Sequence, residues 1–488
     1  MSTDVLSTDV AIIGNGPSGI CLSYMLSGNT PYFTGQPHPN IYLQQKLEEH
    51  PDISILEQDL EYLSEGLEGR STNPVALLFD ALHHPNADLG HSEPSRLKWR
   101  QNEANKIPHV VLGSTLPGGA WQTMGDSKLT LSLQSWMELP GLNFVEWLQK
   151  LQKDDKCGDS IQNRASFSDV SKYYSEYVEC MGIKENFLSG VWVKSVRRIR
   201  GKKINYENGE CEFVSEKHGD SENVTNLFEV VYEKSDKESS MTSEFKIHAK
   251  NVVLATGASD LPNKLDIPGA ELGFVKYKVQ DLETAVEAGE MNAKSDPILV
   301  IGAGLSAADA ILHSLKSHIP VVHIIRRRVN DPEVMLKQLP KAVYPEYHTV
   351  YQMMKGEKSS IPDAQYTCYD QHIVKEIQSN GMVTIYGPDG ATKDIKVSLV
   401  MALIGAKANL KFLCCSGQRY CVNPKKQISS RNPINIDPYT YESIASQGIY
   451  ALGPLTGNNF VRFLKGGALA ICSHLIMNKH YGPRSKEL

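Results

Sequence analysis

The sequence predicts an α/β protein with two Rossmann-like domains, the second inserted into the first, and three observations carry the prediction. An apolar run at residues 10–13 breaks into Gly14-x-Gly16-x-x-Gly19, and a helical pattern follows (Ile20, Leu22, Tyr24, Met25, Leu26). A second run, at 297–301, breaks into Gly302-x-Gly304-x-x-Ala307, followed by a helix at 308–315 and a strand at 321–325. Between and after these units, further strand-like runs end at Gly113, Gly257 and Gly453.

In each turn the first glycine permits the tight bend, and the second lets the backbone approach a pyrophosphate. The small third residue lets the helix pack close to the strand. The first helical turn (Pro17 and Ser18 in one unit, Ser306 in the other) offers N–H groups and the positive end of the helix dipole to phosphate. A purely structural glycine turn is the other reading. The flanking strand and helix favour dinucleotide binding.

A chain of 488 residues has room for two or three domains. The net charge of −6 gives no electrostatic reason to expect nucleic acid. The nine cysteines include no CxxC pair, and the one cluster, Cys414, Cys415 and Cys421, lacks a fourth ligand at metal spacing, so no metal is expected. No secretory signal pattern opens the sequence, and no apolar run approaches the ~20 residues of a membrane span. The terminal Ser-Lys-Glu-Leu only loosely resembles a retention tail. The expectation is a soluble cytoplasmic protein.

In the first domain, residues 42–100 read as an irregular, partly helical insertion, with a short strand open at 53–56. Residues 108–112 form the second strand of the nucleotide fold and run into Gly113-Ser-Thr-Leu-Pro-Gly-Gly-Ala-Trp121. A strand followed by Gly118-Gly119-x-Trp121 resembles a string of flavin-dependent monooxygenases, in which the glycines pass beneath the flavin and the tryptophan packs nearby; a Gly-Gly turn with a core tryptophan is the alternative. No acidic residue stands at Gly113 or Ser114 to hold an adenosine ribose. Residues 136–188 read as helical from apolar positions at three-to-four spacing (Phe144, Trp147, Leu148, Leu151; Tyr173, Tyr174, Tyr177, Val178). A strand at 191–196 leads to a β-meander over about 199–250, in which the charged runs 216–223 and 234–240 are solvated turns. Lys250-Asn-Val-Val-Leu-Ala-Thr-Gly257 then reads as a strand; it resembles the one that, in two-dinucleotide oxidoreductases, leads the chain out of the flavin domain beside the cofactor.

In the second unit the strand at 321–325 ends in Arg326-Arg-Arg328. Arg326 follows Gly302 at close to the spacing, roughly 20 residues, at which an NAD site carries a carboxylate. Arginine there suits a 2′-phosphate through bidentate, charge-assisted bonds, so Arg326, with Arg327 as backup, predicts NADPH; a solvated basic turn is the alternative. Strands at 397–404 and 448–453 are expected to close the first domain's sheet. Asn459 and Gly466-Gly467 lead into an apolar helix at 468–477, whose N-terminus either directs its dipole at a flavin or simply caps a core helix. The map is an FAD domain of 1–284 and 398–488 around an NADPH domain of 285–397.

This order of motifs resembles the flavin-containing monooxygenase superfamily. Longer strings are similar to the oxidative stress-induced growth inhibitor family: Asp59-Leu-Glu-Tyr-Leu-Ser-Glu-Gly-Leu-Glu-Gly69, Ile107-Pro-His-Val-Val-Leu-Gly113, Leu116-Pro-Gly-Gly-Ala-Trp121, Gln338-Leu-Pro-Lys341, Tyr344-Pro-Glu-Tyr-His348 and Gly457-Asn-Asn-Phe-Val-Arg-Phe463. The resemblance spans nearly the whole chain. It implies FAD at Gly14, Gly16, Gly19, Gly118, Gly119 and Trp121, and NADPH at Gly302, Gly304, Ala307 and Arg326; the further candidates are Pro17, Ser18, Thr256, Gly257, Gly453 and Asn459 for FAD and Ser306 and Arg327 for NADPH. It also implies an NADPH-dependent monooxygenase acting on a small molecule with O2, linked to growth restraint, differentiation, meiosis and the oxidative-stress response. The sequence departs from the superfamily in three places. No FxGxxxHxxxY fingerprint follows Gly257, Leu403-Ile-Gly-Ala-Lys407 replaces a late Ala-Thr-Gly-Tyr, and Ser132 stands where an asparagine is often found. No catalytic residue is named. Two alternatives are an NADPH oxidase or reductase releasing hydrogen peroxide, and a nucleotide-binding, redox-responsive regulator that meets a protein partner through 42–100.

Overall fold

The structure, a computed structural model, describes residues 5–125, 128–151, 164–199, 227–235, 242–357, 361 and 365–482. It divides the chain into two compact units, 1–258 with 408–488, and 259–407.

The first unit is built on a seven-stranded sheet. Five strands run parallel, in the order Phe187–Ser189, His109–Gly113, Leu6–Ile13, Thr242–Leu254, Ile449–Ala451. In chain order these are 3-2-1-4-5, the doubly wound order without its sixth strand. Val10 to Ile13 and Val252 to Leu254 are buried without alternation, because helices cover one face and a meander and loops cover the other. The meander consists of Val191–Ile199, Leu227–Ser235 and the first half of Thr242–Leu254, paired antiparallel. The charged run at 216–223, most of that at 234–240, and the last four residues lie outside the described residues.

Residues 42–100 carry the helices Ile41–Glu49, Leu60–Ser64 and Pro74–His83. At 53–56 the expected strand is a single 3-10 turn, Ile55–Glu57, whose N-cap Ser54 accepts a hydrogen bond from Leu56 N–H. Ile55 and Leu56 are buried in the helical core, and Ser473 donates to the Leu56 carbonyl, so this stretch has no free sheet edge to join. The helical reading of 136–188 resolves into two helices, Phe144–Leu151 and Phe167–Cys180, with the short strand Arg164–Ser166 between; 152–163 lie outside the described residues. The hydroxyls of Tyr173, Tyr174 and Tyr177 donate to the carbonyls of Leu142, Met137 and Pro140, which is how three buried tyrosines satisfy their polar ends.

The long helix Val461–Tyr481 starts well before the expected 468, so Gly466 and Gly467 lie inside it rather than ahead of it. A Cβ on Gly466 would stand 2.4 Å from Ala76 Cα, so the glycine lets this helix touch Pro74–His83 backbone to backbone. Among the described residues no helix is long and apolar enough to cross a membrane.

The second unit has a five-stranded parallel sheet, in the order Val275–Lys276, Leu399–Ala402, Ile298–Ile301, Val321–Ile325, Tyr366–Asp370. Here the strand expected at 397–404 is corrected: it does not close the first sheet but pairs with Ile298–Ile301, Ile298 opposite Leu399 and Ile301 opposite Ala402. Buried parallel strands share one apolar signature, so periodicity says that a strand exists and not which sheet it joins. Residues 259–284, grouped with the first domain in the sequence map, also pack here. Val275 pairs with Val400, and Leu282 of the helix Val279–Glu287 is buried. An antiparallel sheet of Ile373–Ile377, Met382–Tyr386 and Thr392–Lys396, which sequence reasoning missed, lays Val374, Ile377, Val383 and Ile385 against Leu299 and Val322.

Candidate dinucleotide-binding sites

The register of Leu6–Ile13 with Thr242–Leu254 places Ala255 directly against the first glycine turn. Gly14 has φ +116°, and a Cβ on it would lie 2.3 Å from the Ala255 carbonyl oxygen, so only glycine fits. A Cβ on Gly19 would meet the Gly14 carbonyl at 2.1 Å, which is why the helix Pro17–Leu26 can sit so close to its strand. Gly16 is different: its φ is −72°, and the nearest atom to an added Cβ is the Gly118 carbonyl oxygen at 3.9 Å. The fold itself does not require glycine there.

Other expected residues gather round this turn. Gly118 N–H donates to the Asn15 carbonyl at 2.8 Å, and Gly119 lies so close that its Cβ would be 2.9 Å from Gly16 Cα. Gly453 abuts Ser18, where a Cβ would meet Oγ at 2.5 Å. Thr256 follows Ala255, and its Oγ1 is buried with no hydrogen-bond partner. Trp121 is half-buried, its ring edge-on to Phe167 at 5.3 Å and to Tyr174 at 6.2 Å. Gly257 has open space at its Cβ position, and Asn459 is exposed. Asn458, not among the candidate site residues, is the buried member of that pair; it donates to the Tyr441 hydroxyl and accepts from Ser71 Oγ.

The missing acidic residue at 113 has a structural reason. The Asn15 carboxamide, donating to the Thr115 carbonyl at 2.7 Å, fills the volume where a side chain on Gly113 would begin, 2.0 Å from its Cβ position. The helix is pinned by His109, whose Nδ1 donates to the Ile107 carbonyl at 2.8 Å, leaving Nε2 to accept from Ser23 Oγ at 2.8 Å. Burial lowers its pKa to about 4, so it is neutral.

The second turn repeats the plan. Gly302 has φ +129°, and a Cβ on it would lie 2.2 Å from the Leu403 carbonyl oxygen, delivered by the strand Leu399–Ala402. Gly304 has φ −90° and nothing within 4 Å of a Cβ. Ala307 is buried at the third position, and Ser306 is exposed in the first turn of the helix Leu305–Lys316. Beneath the turn, His323 Nε2 donates to the Gly302 carbonyl at 2.6 Å and Nδ1 accepts from the Tyr366 hydroxyl at 2.7 Å; burial takes its pKa to about 4. Of the three arginines, Arg327 pairs with Asp331 and Glu333, and Arg328 donates to Gln371. Arg326 is exposed, and no hydrogen bond or ion pair holds it among the described residues.

Sequence reasoning missed a buried charged cluster in the first unit. Arg462 and Lys465, on the first turns of the long helix, are 2% and 0% exposed. Arg462 stands 2.6 Å from Asp80 Oδ1 and 2.7 Å from Asp88 Oδ1, with its guanidinium 4.5 Å above the Trp136 ring. Lys465 donates to His84 Nε2 at 2.9 Å and to the Glu138 carbonyl at 3.2 Å. His83, His84 and Glu138 have the geometry of a metal triad, their ligand atoms within 4.8 Å of one another, but the Lys465 ammonium already stands among them. Burial pushes the Asp80 carboxyl up to about 6 and the Lys465 ammonium down to about 8, and holds both histidines neutral.

Comparisons with known proteins agree with this architecture. Residues 222–453 match the family described as pyridine nucleotide-disulphide oxidoreductase, which supports an oxidoreductase that uses a pyridine nucleotide. Bacillithiol disulfide reductase from Bacillus cereus superposes with a TM-score of 0.58 at 17% identity, over 97% of this chain and 100% of that one, a likeness of fold. Mouse oxidative stress-induced growth inhibitor 1 is 44% identical over 97% of this chain and 96% of its own length. Human oxidative stress-induced growth inhibitor 2 is 44% identical over 95% and 92%. Identity at that level along almost the full length of each relative means that the protein belongs to the oxidative stress-induced growth inhibitor family.

Proposed function

We propose that the protein is an FAD-containing, NADPH-dependent oxidoreductase of the monooxygenase type, acting on a small molecule with O2. The supporting observation is the pair of middle glycines. Gly14 and Gly302 are explained by neighbouring carbonyls, but Gly16 and Gly304 face space that no protein atom needs. A pyrophosphate approaching the backbone supplies the missing reason. On this reading the turn at Gly14, Gly16 and Gly19, with Pro17, Ser18, Gly118, Gly119, Trp121, Thr256, Gly257, Gly453 and Asn459, holds FAD. The unpartnered Thr256 Oγ1 is then a donor waiting for a ligand acceptor. Gly302, Gly304, Ser306 and Ala307 hold NADPH, and Arg326 takes its 2′-phosphate; Arg327, engaged by two carboxylates, steadies the turn that presents Arg326. The residues around Gly14 would hold FAD and those around Gly302 NADPH, groups that when bound would supply hydride-transfer and O2 chemistry. The chain's own part is to orient the two nucleotides and exclude water, so a named acid or base is not required.

The test is spectroscopic. Purified protein should carry flavin absorbance that bleaches under NADPH without O2. Protein that binds no flavin, or flavin that NADPH leaves oxidised, sinks the proposal. An NADPH oxidase or reductase is the second reading, favoured by a family description that names disulphide oxidoreductases and no oxygenase. Hydrogen peroxide released mole for mole with NADPH, whatever the substrate offered, would establish it instead.

A further inference from the structure

Adjacent side chains normally diverge, since successive residues point to opposite faces of a strand or lie apart around a helix. Cys414 and Cys415 are an exception, with their sulfurs 3.6 Å apart. The cause is in the backbone. Cys415, Ser416 and Gly417 are three consecutive residues with positive φ. This left-handed conformation is one that only glycine adopts without strain. Such strain persists where the surroundings impose it. The turn is fastened from both sides. Leu410 and Leu413 are buried ahead of it, the Phe412 carbonyl accepts from Val196 N–H at 2.9 Å, and Gly417 packs so tightly on Leu410 that a Cβ would stand 2.8 Å from Cδ1. Tyr420 and Cys421 are buried behind it. The thiols themselves face outward, Cys415 exposed and Cys414 half-buried. Beside the turn, Arg419 lies 4.7 Å over the Tyr420 ring. Two accessible thiols in contact are open to an oxidant, and each has a partner that can resolve a sulfenic acid.

We propose that Cys414 and Cys415 are a peroxide-oxidised dithiol. Hydrogen peroxide oxidises one thiol to a sulfenic acid, with one water released; the neighbouring thiol attacks that sulfur, a second water leaves, and a vicinal disulfide forms. The balance is two thiols and one hydrogen peroxide giving one disulfide and two waters, with two electrons passing from sulfur to peroxide oxygen. The sulfurs must close from 3.6 Å to about 2.05 Å, a short movement for side chains already in contact. A ring formed by adjacent residues is constrained, so a dithiol reductant should reopen it readily. Cys21, Cys421 and Cys472 are buried and stay reduced on this account. The proposal is independent of the nucleotide assignment, because the peroxide is supplied from outside.

The experiment treats the full-length protein with equimolar hydrogen peroxide, quenches with catalase, alkylates, and maps the peptides by mass spectrometry. The expected result is a peptide holding both cysteines that has lost two hydrogens, escapes alkylation, and recovers both thiols after dithiothreitol. Cys414→Ser and Cys415→Ser should instead leave a sulfenic acid trapped by dimedone. As an independent probe, phenylarsine oxide should protect both thiols from alkylation in the wild type and neither remaining thiol in the single variants. Three results would overturn the proposal: both thiols still alkylated after peroxide, either one joined to a different cysteine, or over-oxidation of single sulfurs without a disulfide.

Discussion

At Gly14 an added Cβ would stand 2.3 Å from the carbonyl oxygen of Ala255, and at Gly302 2.2 Å from that of Leu403. In both units the strand beside the glycine motif ends with a carbonyl pressed into the bend. The middle glycines match as well, each extended and open. The turns differ in what completes them. The first is overlaid by the Gly118–Gly119 loop and has Asn15 filling the strand end at Gly113; the second is braced from below by His323 and left uncovered at Arg326. The first glycine of each turn is therefore a requirement of the fold, and the middle one, on the proposed function, a requirement of the ligand. The same substitution at the two positions should separate stability from binding.

The largest effect should come from the first glycines. Gly14→Ala forces a residue into φ +116° against a backbone oxygen, and Gly302→Ala does the same at +129°. Left-handed strain and overpacking together predict a loss of roughly 2–6 kcal/mol. Denaturant unfolding should show Gly14→Ala weakening the unit that contains residues 1–258 and Gly302→Ala weakening 259–407. Wild-type stability in either variant would break the comparison.

Arg462→Met tests the buried charged cluster, where the expected effect is on stability. It leaves the buried Asp80 carboxylate without its cation, which predicts about 3–5 kcal/mol of destabilisation at neutral pH. The pH dependence has a definite sign. Burial raises Asp80 from 3.8 to about 6 in the folded protein, so its contribution to stability is full below the unfolded value and is lost as pH climbs through about 6. Removing the arginine raises that pKa further, so the penalty should shrink at about pH 5, where the carboxyl takes up a proton. A penalty independent of pH would mean that packing of Arg462 over Trp136 dominates.

Arg326→Ala sharpens the difference between the two turns. One charge-assisted bond to phosphate is worth about 1.5–3 kcal/mol, so NADPH binding should weaken roughly tenfold to a hundredfold while NADH binding holds. Arg327→Ala should do less to NADPH affinity, because Asp331 and Glu333 already hold that side chain. Equal losses for NADPH and NADH in Arg326→Ala would refute the assignment.

What was legible in the sequence follows the same division. The glycine turns could be read because strand, bend and helix are contiguous, and Val321–Ile325 was placed to the residue. The strand Leu399–Ala402 was found but put in the wrong sheet, since nothing in four apolar residues names their neighbour. Arg462 and Lys465 escaped notice because Asp80 and His83 lie 382 residues away along the chain. A cation on the buried face of an apolar helix was the one available signal. The emptiness at Gly113 could be read only as an absent carboxylate; that Asn15 fills the space is a tertiary fact.

The smallest expected change in stability belongs to the middle glycine of the first turn. Gly16→Ala adds a methyl group whose nearest protein atom would be 3.9 Å away, at a φ any residue adopts. Stability should fall by no more than about 1 kcal/mol, the usual gap between glycine and alanine at a helix N-cap. Measured as flavin per folded chain after purification, the wild type should be loaded and Gly16→Ala nearly empty, with the same unfolding curve once flavin is removed from both. A Gly16→Ala protein that retains the wild-type flavin content contradicts the account.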